Sequence, residues 1–143
     1  MNKTLLMELK MLLERLYDIF EKLKEVESEK TRILTNGTTV ELIELMNTEQ
    51  ALFMESRNIE KKRIALCRQT EYKTLNELIE SREDYRDILY PIYIKLSNVV
   101  NEVKKINNLN MKLIETRLAT MRLLLEKIGV LGQNKIKQVQ ARV

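Results

Sequence analysis

The chain has 143 residues, 44% apolar and 32% charged, with three glycines, one proline, no histidine and a net charge of +4. That length suits one domain burying about two-thirds of its unfolded surface, and the Ala/Glu/Lys/Leu/Arg weighting favours long helices. Without histidine there is no Ser-His or Cys-His nucleophile pair, and no CxxC or phosphate-cradling glycine loop occurs, so no catalysis, metal or cofactor is expected.

The first element is expected as an amphipathic helix over roughly 4–35. Leu5, Leu9, Leu12, Leu16, Ile19, Leu23 and Val26 alternate steps of four and three, the seam of a supercoiled helix. Leu6, Leu13 and Phe20 widen the seam enough to meet two neighbouring helices. Glu25, Glu27 and Glu29, in a Lys-rich run, read as solvated surface. Gly37 after Asn36 suits a left-handed residue closing the helix.

Thr38 followed three residues later by Glu41 forms a capping box that opens a second helix. Its apolar column is Leu45, Leu52, Ile59 and Leu66, strictly every seven residues. The companion column, Glu49, Ser56 and Arg63, is polar, and such a seam destabilises unless its groups are paired or reach water. Glu49 and Arg63 read as register-setting contacts across a bundle, with partner contacts as the other reading. Cys67 beside Leu66 reads as a semi-buried, inert thiol, and as the lone cysteine it excludes an internal disulfide and suits a reducing compartment.

A second box, Thr74 with Glu77, opens a short element over Leu75 to Glu80. Tyr72, Tyr85, Tyr90 and Tyr93 cluster there, either closing the end of the bundle or offering a docking patch. A long third helix follows, over roughly 84–128. With Asp87 as N-cap, Pro91 falls in the first turn, where no N–H partner is needed; with a start at Asp84, Pro91 should kink the helix. Ile92, Leu96, Val99, Val103, Ile106, Leu109 and Leu113 continue the seam. Asn107 and Asn110, poor mid-helix residues one turn apart, read as a buried amide pair fixing register.

Gly129 and Gly132 end this helix and open a flexible tail over 129–143. The expected architecture is therefore all-α: an antiparallel three-helix bundle or coiled coil over 1–128, with a long third helix and a short extra helix before it. Part of the third helix outruns its partners and leaves apolar surface uncovered.

No uncharged run exceeds eight residues, so no stable membrane insertion is expected, and although Lys3 stands near the N-terminus, Glu8 and Lys10 interrupt the apolar stretch a signal peptide would need. From Lys104 onward the charge is +7, against −3 before it. These bases are spread over several helix faces without interleaved aromatics, which argues for solvated charge over a nucleic-acid track.

Several features in order resemble the FlgN family of flagellar type III export chaperones. They are a leucine-heptad first helix reaching an Asn-Gly turn, Glu49-Gln50, then Ile59-Glu60 leading into Arg63. After these come Leu-x-Glu-Leu-Ile over Leu75 to Ile79 and the N-x-x-N-x-x-L pattern of Asn107, Asn110 and Leu113. The similarity covers roughly residues 5–131, and its order and spacing carry more weight than any single motif. Many members have a Tyr-Gly type segment after the third helix, where this chain has Ile128-Gly129-Val130-Leu131-Gly132.

The resemblance implies a cytoplasmic chaperone that holds the helical C-terminal regions of hook-associated (hook–filament junction) proteins and hands them to the export gate. Client contact is then expected at Leu118, Met121, Leu125 and Ile128, and along the tail at Val130, Leu131, Ile136 and Val139. An amphipathic tail too short to be stably helical alone should order on client binding. A structural coiled-coil adaptor acting through homo- or hetero-oligomers is the alternative, and a weak homo-oligomer is left open.

Overall fold

The structure, a computed structural model, describes residues 3–142, with side-chain surroundings given through residue 129. It is all-α: α1 (Lys3–Asn36), α2 (Thr39–Arg68), α3 (Leu75–Ser81) and α4 (Glu83–Arg142). No strand occurs among the described residues.

The broad apolar face of α1 organises the fold. Leu6, Leu9, Leu12, Leu13, Leu16, Ile19 and Leu23 are all buried, and α1 packs along both α2 and α4. α2 and α4 scarcely approach one another, so α1 lies between them. Lys30 meets Glu49 and Arg32 meets Glu41, which makes α1 and α2 antiparallel. Lys24 meets Glu102, Glu27 meets Asn107 and Thr31 meets Asn110, which makes α1 and α4 parallel. Leu78, Ile79, Tyr85 and Leu89 seal the end where α3 packs on α4. Of the clustered tyrosines Tyr85 is buried, Tyr72 and Tyr93 are half-buried and Tyr90 is exposed, so the cluster largely closes the bundle.

The caps follow the sequence signals. Thr38 accepts from the Glu41 N–H at 3.2 Å, while the Glu41 carboxylate accepts from the Thr38 N–H at 3.3 Å. Thr74 accepts from the Glu77 N–H at 3.1 Å, but Glu77 reaches back to the N–H of Lys73, one residue earlier.

Two expectations about the breaks are corrected, and one open choice is decided. Gly37 does not adopt a left-handed conformation. Its N–H donates to the Ile33 carbonyl at 2.7 Å, and an added Cβ would come within 2.8 Å of Ile33 Cα and Cγ2, so close approach is what calls for glycine there. Of the two readings of Pro91 the earlier start holds: α4 begins at Glu83, so Pro91 lies inside the helix and not in its first turn. Glu83 and Asp84 supply acidic residues to that first turn, which favours the earlier start. The carbonyl of Asp87, which loses its helical donor to Pro91, sits on an exposed stretch where water can replace it. Finally, α4 does not end at Ile128: it continues through Gly129 and Gly132 to Arg142. Each glycine costs a helix only about 1 kcal/mol, so two of them need not break it.

The seam of α4 is corrected at one position. Leu109 is 49% exposed and Asn110 is fully buried. The four-three alternation from Ile92 through Leu96, Val99, Val103 and Ile106 lands on Asn110, and the apolar neighbour at 109 lies off it.

Candidate protein-binding surface

Two features of α4 stand next to each other: a buried polar layer that ends the bundle, and an uncovered apolar stripe beyond it. Glu27 is the hub of the layer, with its side chain fully buried. Asn110 Nδ2 donates to the Glu27 carbonyl at 2.9 Å and to Glu27 Oε2 at 2.8 Å. Asn107 Nδ2 donates to Glu27 Oε1 at 3.4 Å, and Thr31 Oγ1 donates to Asn110 Oδ1 at 2.6 Å. Lys30 Nζ lies 3.8 Å from Glu27 and donates to Glu49 Oε2 at 2.8 Å, which ties α2 into the same layer. Among the described residues no buried side-chain nitrogen or oxygen lacks a partner.

Two carboxyl groups share one lysine in this layer. Burial alone would raise the Glu27 carboxyl, but hydrogen bonding to Glu49 and Asn110, the Lys30 charge and the Asn107 amide together hold it below the usual value. Burial, and then Glu27 itself, push the Glu49 carboxyl up despite Lys30. Such a layer is poor evidence for added stability and better evidence for a single register, because a shifted helix would bury these groups unpaired.

Glu27 and Lys30 were missed by reading charge as solvation. Their position was visible all the same. Leu6, Leu13, Phe20, Glu27 and Leu34 form one column of sevens, and Leu9, Leu16, Leu23 and Lys30 form another.

Other anticipated residues divide. Glu49, Asn107 and Asn110 come together in the layer, and Leu113 lies half-buried one turn beyond. Arg63 does not join it: its guanidinium binds Glu60 on its own helix and approaches Cys67 Sγ at 3.9 Å. Cys67 is buried, and burial raises its thiol in spite of Arg63, so it is not primed as a nucleophile.

Beyond the layer, α4 outruns α1. Leu113 and Ile114 are half-buried, and every residue from Glu115 to Gly129 is exposed. Those fifteen residues project about 22 Å at 1.5 Å per residue. Leu118, Met121, Leu125 and Ile128 lie within about 80° of arc starting at the direction of Asn110, taking about 100° per residue. The stripe is thus the bundle-facing side of α4 continued past the helix that would cover it. Leu125 and Ile128 are 64% and 63% exposed. The anticipated contacts Val130, Leu131, Ile136 and Val139 lie outside the residues whose side chains the structure describes.

A contiguous apolar stripe at heptad spacing on a projecting helix has the shape and chemistry that another amphipathic helix would fit. No helix of the described residues is long and apolar enough to cross a membrane. In comparison with known proteins, the family model for FlgN protein matches residues 1–136 of the chain. No curated protein and no solved structure matches it.

Proposed function

The chain belongs to the FlgN family, whose members are flagellar export chaperones, and from that premise we propose that it holds the C-terminal helical regions of hook-associated proteins in the cytoplasm and keeps them unassembled until export. The observation that carries this reading is the stripe of Leu118, Met121, Leu125 and Ile128, fully uncovered on a helix that has left its bundle.

A client helix that is amphipathic and aggregation-prone alone buries its own stripe against these side chains. Each large aliphatic side chain removed from water contributes about 1.5–3 kcal/mol. The cost of ordering and association offsets much of this, leaving a complex that can release its client at the export gate. The polar layer supports the division of labour: it locks the bundle in register so that the projecting stripe stays uncovered by α1 and α2.

The segment 129–143 serves in this account as an adaptable end of the client surface, with Val130, Leu131, Ile136 and Val139 added to the contact. Gly129 and Gly132 weaken helix there at about 1 kcal/mol each, so client binding should raise its hydrogen-exchange protection. Equal protection with and without client would remove that role.

Co-purification with the C-terminal regions of hook-associated proteins tests the reading. The full chain should retain at least one of them, and a chain ending at Ile128 should retain it less well. Failure to retain any, together with a stable homodimer in sedimentation, would favour a coiled-coil adaptor instead.

A further inference from the structure

Because α2 and α4 both pack on α1 and scarcely touch each other, an open groove remains between them at the α3 end, about 570 Å³ in volume. Leu13 of α1 forms its floor, Ile64 and Leu75 one side, and Tyr93, Leu96 and Val100 of α4 the other. Ile64 is 38% exposed although it points into this concavity. Its lining carries Glu60 together with Arg63, Lys73 and Lys104. Arg63 is already bound to Glu60, whereas Lys73 and Lys104 have no ion-pair partner among the described residues.

The groove lies on the same side of α4 as the projecting stripe, with Asn107 of the polar layer between them. At about 100° per residue, Leu96 and Val100 lie about 40° and 80° from the direction of Asn110, the same sector that Leu118 and Leu125 occupy beyond Ile114. From these observations we infer that the groove is a second part of the client site. It takes one further amphipathic helical segment of the same client, apolar on the face toward Leu75, Tyr93 and Val100 and acidic on the flanks that meet Lys73 and Lys104.

This rests on the chaperone reading above, and it turns the α3 end of the bound complex into a four-helix arrangement. Val100 lies about 42 Å along α4 from Ile128 at 1.5 Å per residue, so the client contributes either one long helix or two consecutive ones. Acidic flanks would steer association and fix which face of the client docks, since rim charges act mainly on encounter and specificity.

The test is an amide NMR titration of the full chain with the C-terminal region of a hook-associated protein, repeated with the double variant Lys73→Glu/Lys104→Glu. Both lysines are exposed and unpaired, so an unchanged circular dichroism spectrum is expected for the variant. Resonance shifts at Leu75, Tyr93 and Val100, as well as at Leu118 to Ile128, are expected for the wild type. The variant should bind about tenfold more weakly, as two rim attractions become repulsions. Shifts confined to the projecting stripe, or binding that the reversal leaves within about twofold, would overturn the groove while leaving the chaperone reading in place. Absence of binding by any hook-associated region would remove the chaperone reading, and this inference with it.

Discussion

Asn110 and Glu27, 83 residues apart in sequence, are joined through one amide nitrogen that donates both to the backbone carbonyl and to the carboxylate of Glu27. This pair ties α1 to α4 where the bundle ends. Replacing Asn110→Ala leaves a buried carboxylate short of a donor and should lower stability by about 2–3 kcal/mol. Replacing Asn110→Asp, which sets a second carboxylate against Glu27, should cost at least as much near neutral pH. Urea unfolding midpoints measure both, and a change within about 0.5 kcal/mol for Asn110→Ala would show that the layer holds nothing in place.

The same layer sets a pH dependence. Glu49 has a raised carboxyl in the folded chain, so the folded state binds a proton that the unfolded state has not yet taken up. Its contribution therefore grows as pH falls from neutral and levels off below the unfolded value, about 4.3. Glu27, held below the usual value, acts oppositely: its contribution is present above about 4.3 and is lost as pH falls through the depressed value. Compared with Glu49→Gln, wild-type stability should thus rise between neutral pH and the ordinary carboxylate range. A difference that is flat with pH, or that falls over this window, would contradict the assignment.

The layer also shows what was legible in the chain and what was not. The wide face of α1, the capping box at Thr38, the short element at Leu75 and an overlong last helix all follow from period and turn chemistry, which act locally. Glu27 and Lys30 did not, because residue type was weighed above position in the column of sevens. Gly129 was read as a break and Pro91 as a first-turn residue or a kink, yet an exposed helix interior with water at hand tolerates a lost donor, and isolated glycines cost little. Gly37 was assigned to a left-handed turn when the constraint is its contact with Ile33, which only the folded geometry reveals. For the stripe itself, sequence supplied the residues, while the extent of the uncovered stretch depends on where α1 stops relative to α4.

Gly37→Ala places a methyl group against Ile33 Cα and Cγ2, each 2.8 Å from its position. Backbone cannot yield as a flexible side chain would. The substitution should cost about 1–2 kcal/mol, read as a lower thermal midpoint. Equal or higher stability would mean that the α1–α2 turn relaxes without loss.

Pro91→Ala returns a donor to the Asp87 carbonyl and removes the ring from the helix interior. Because α4 is helical on both sides of this position, stability should rise by about 1–3 kcal/mol. A fall would show that Pro91 shapes packing against α1 rather than merely being tolerated.

The central claim is that the bundle is scaffold and the projecting face of α4 is the client site. Calorimetric titration of a hook-associated C-terminal region into Leu118→Asp/Leu125→Asp, alongside the wild type, tests it most directly. Both side chains are exposed, at 48% and 64%, so the urea midpoint should stay where it is. Loss of two buried aliphatic contacts should weaken binding at least about a hundredfold. A variant that keeps wild-type affinity with an unchanged midpoint would contradict the account.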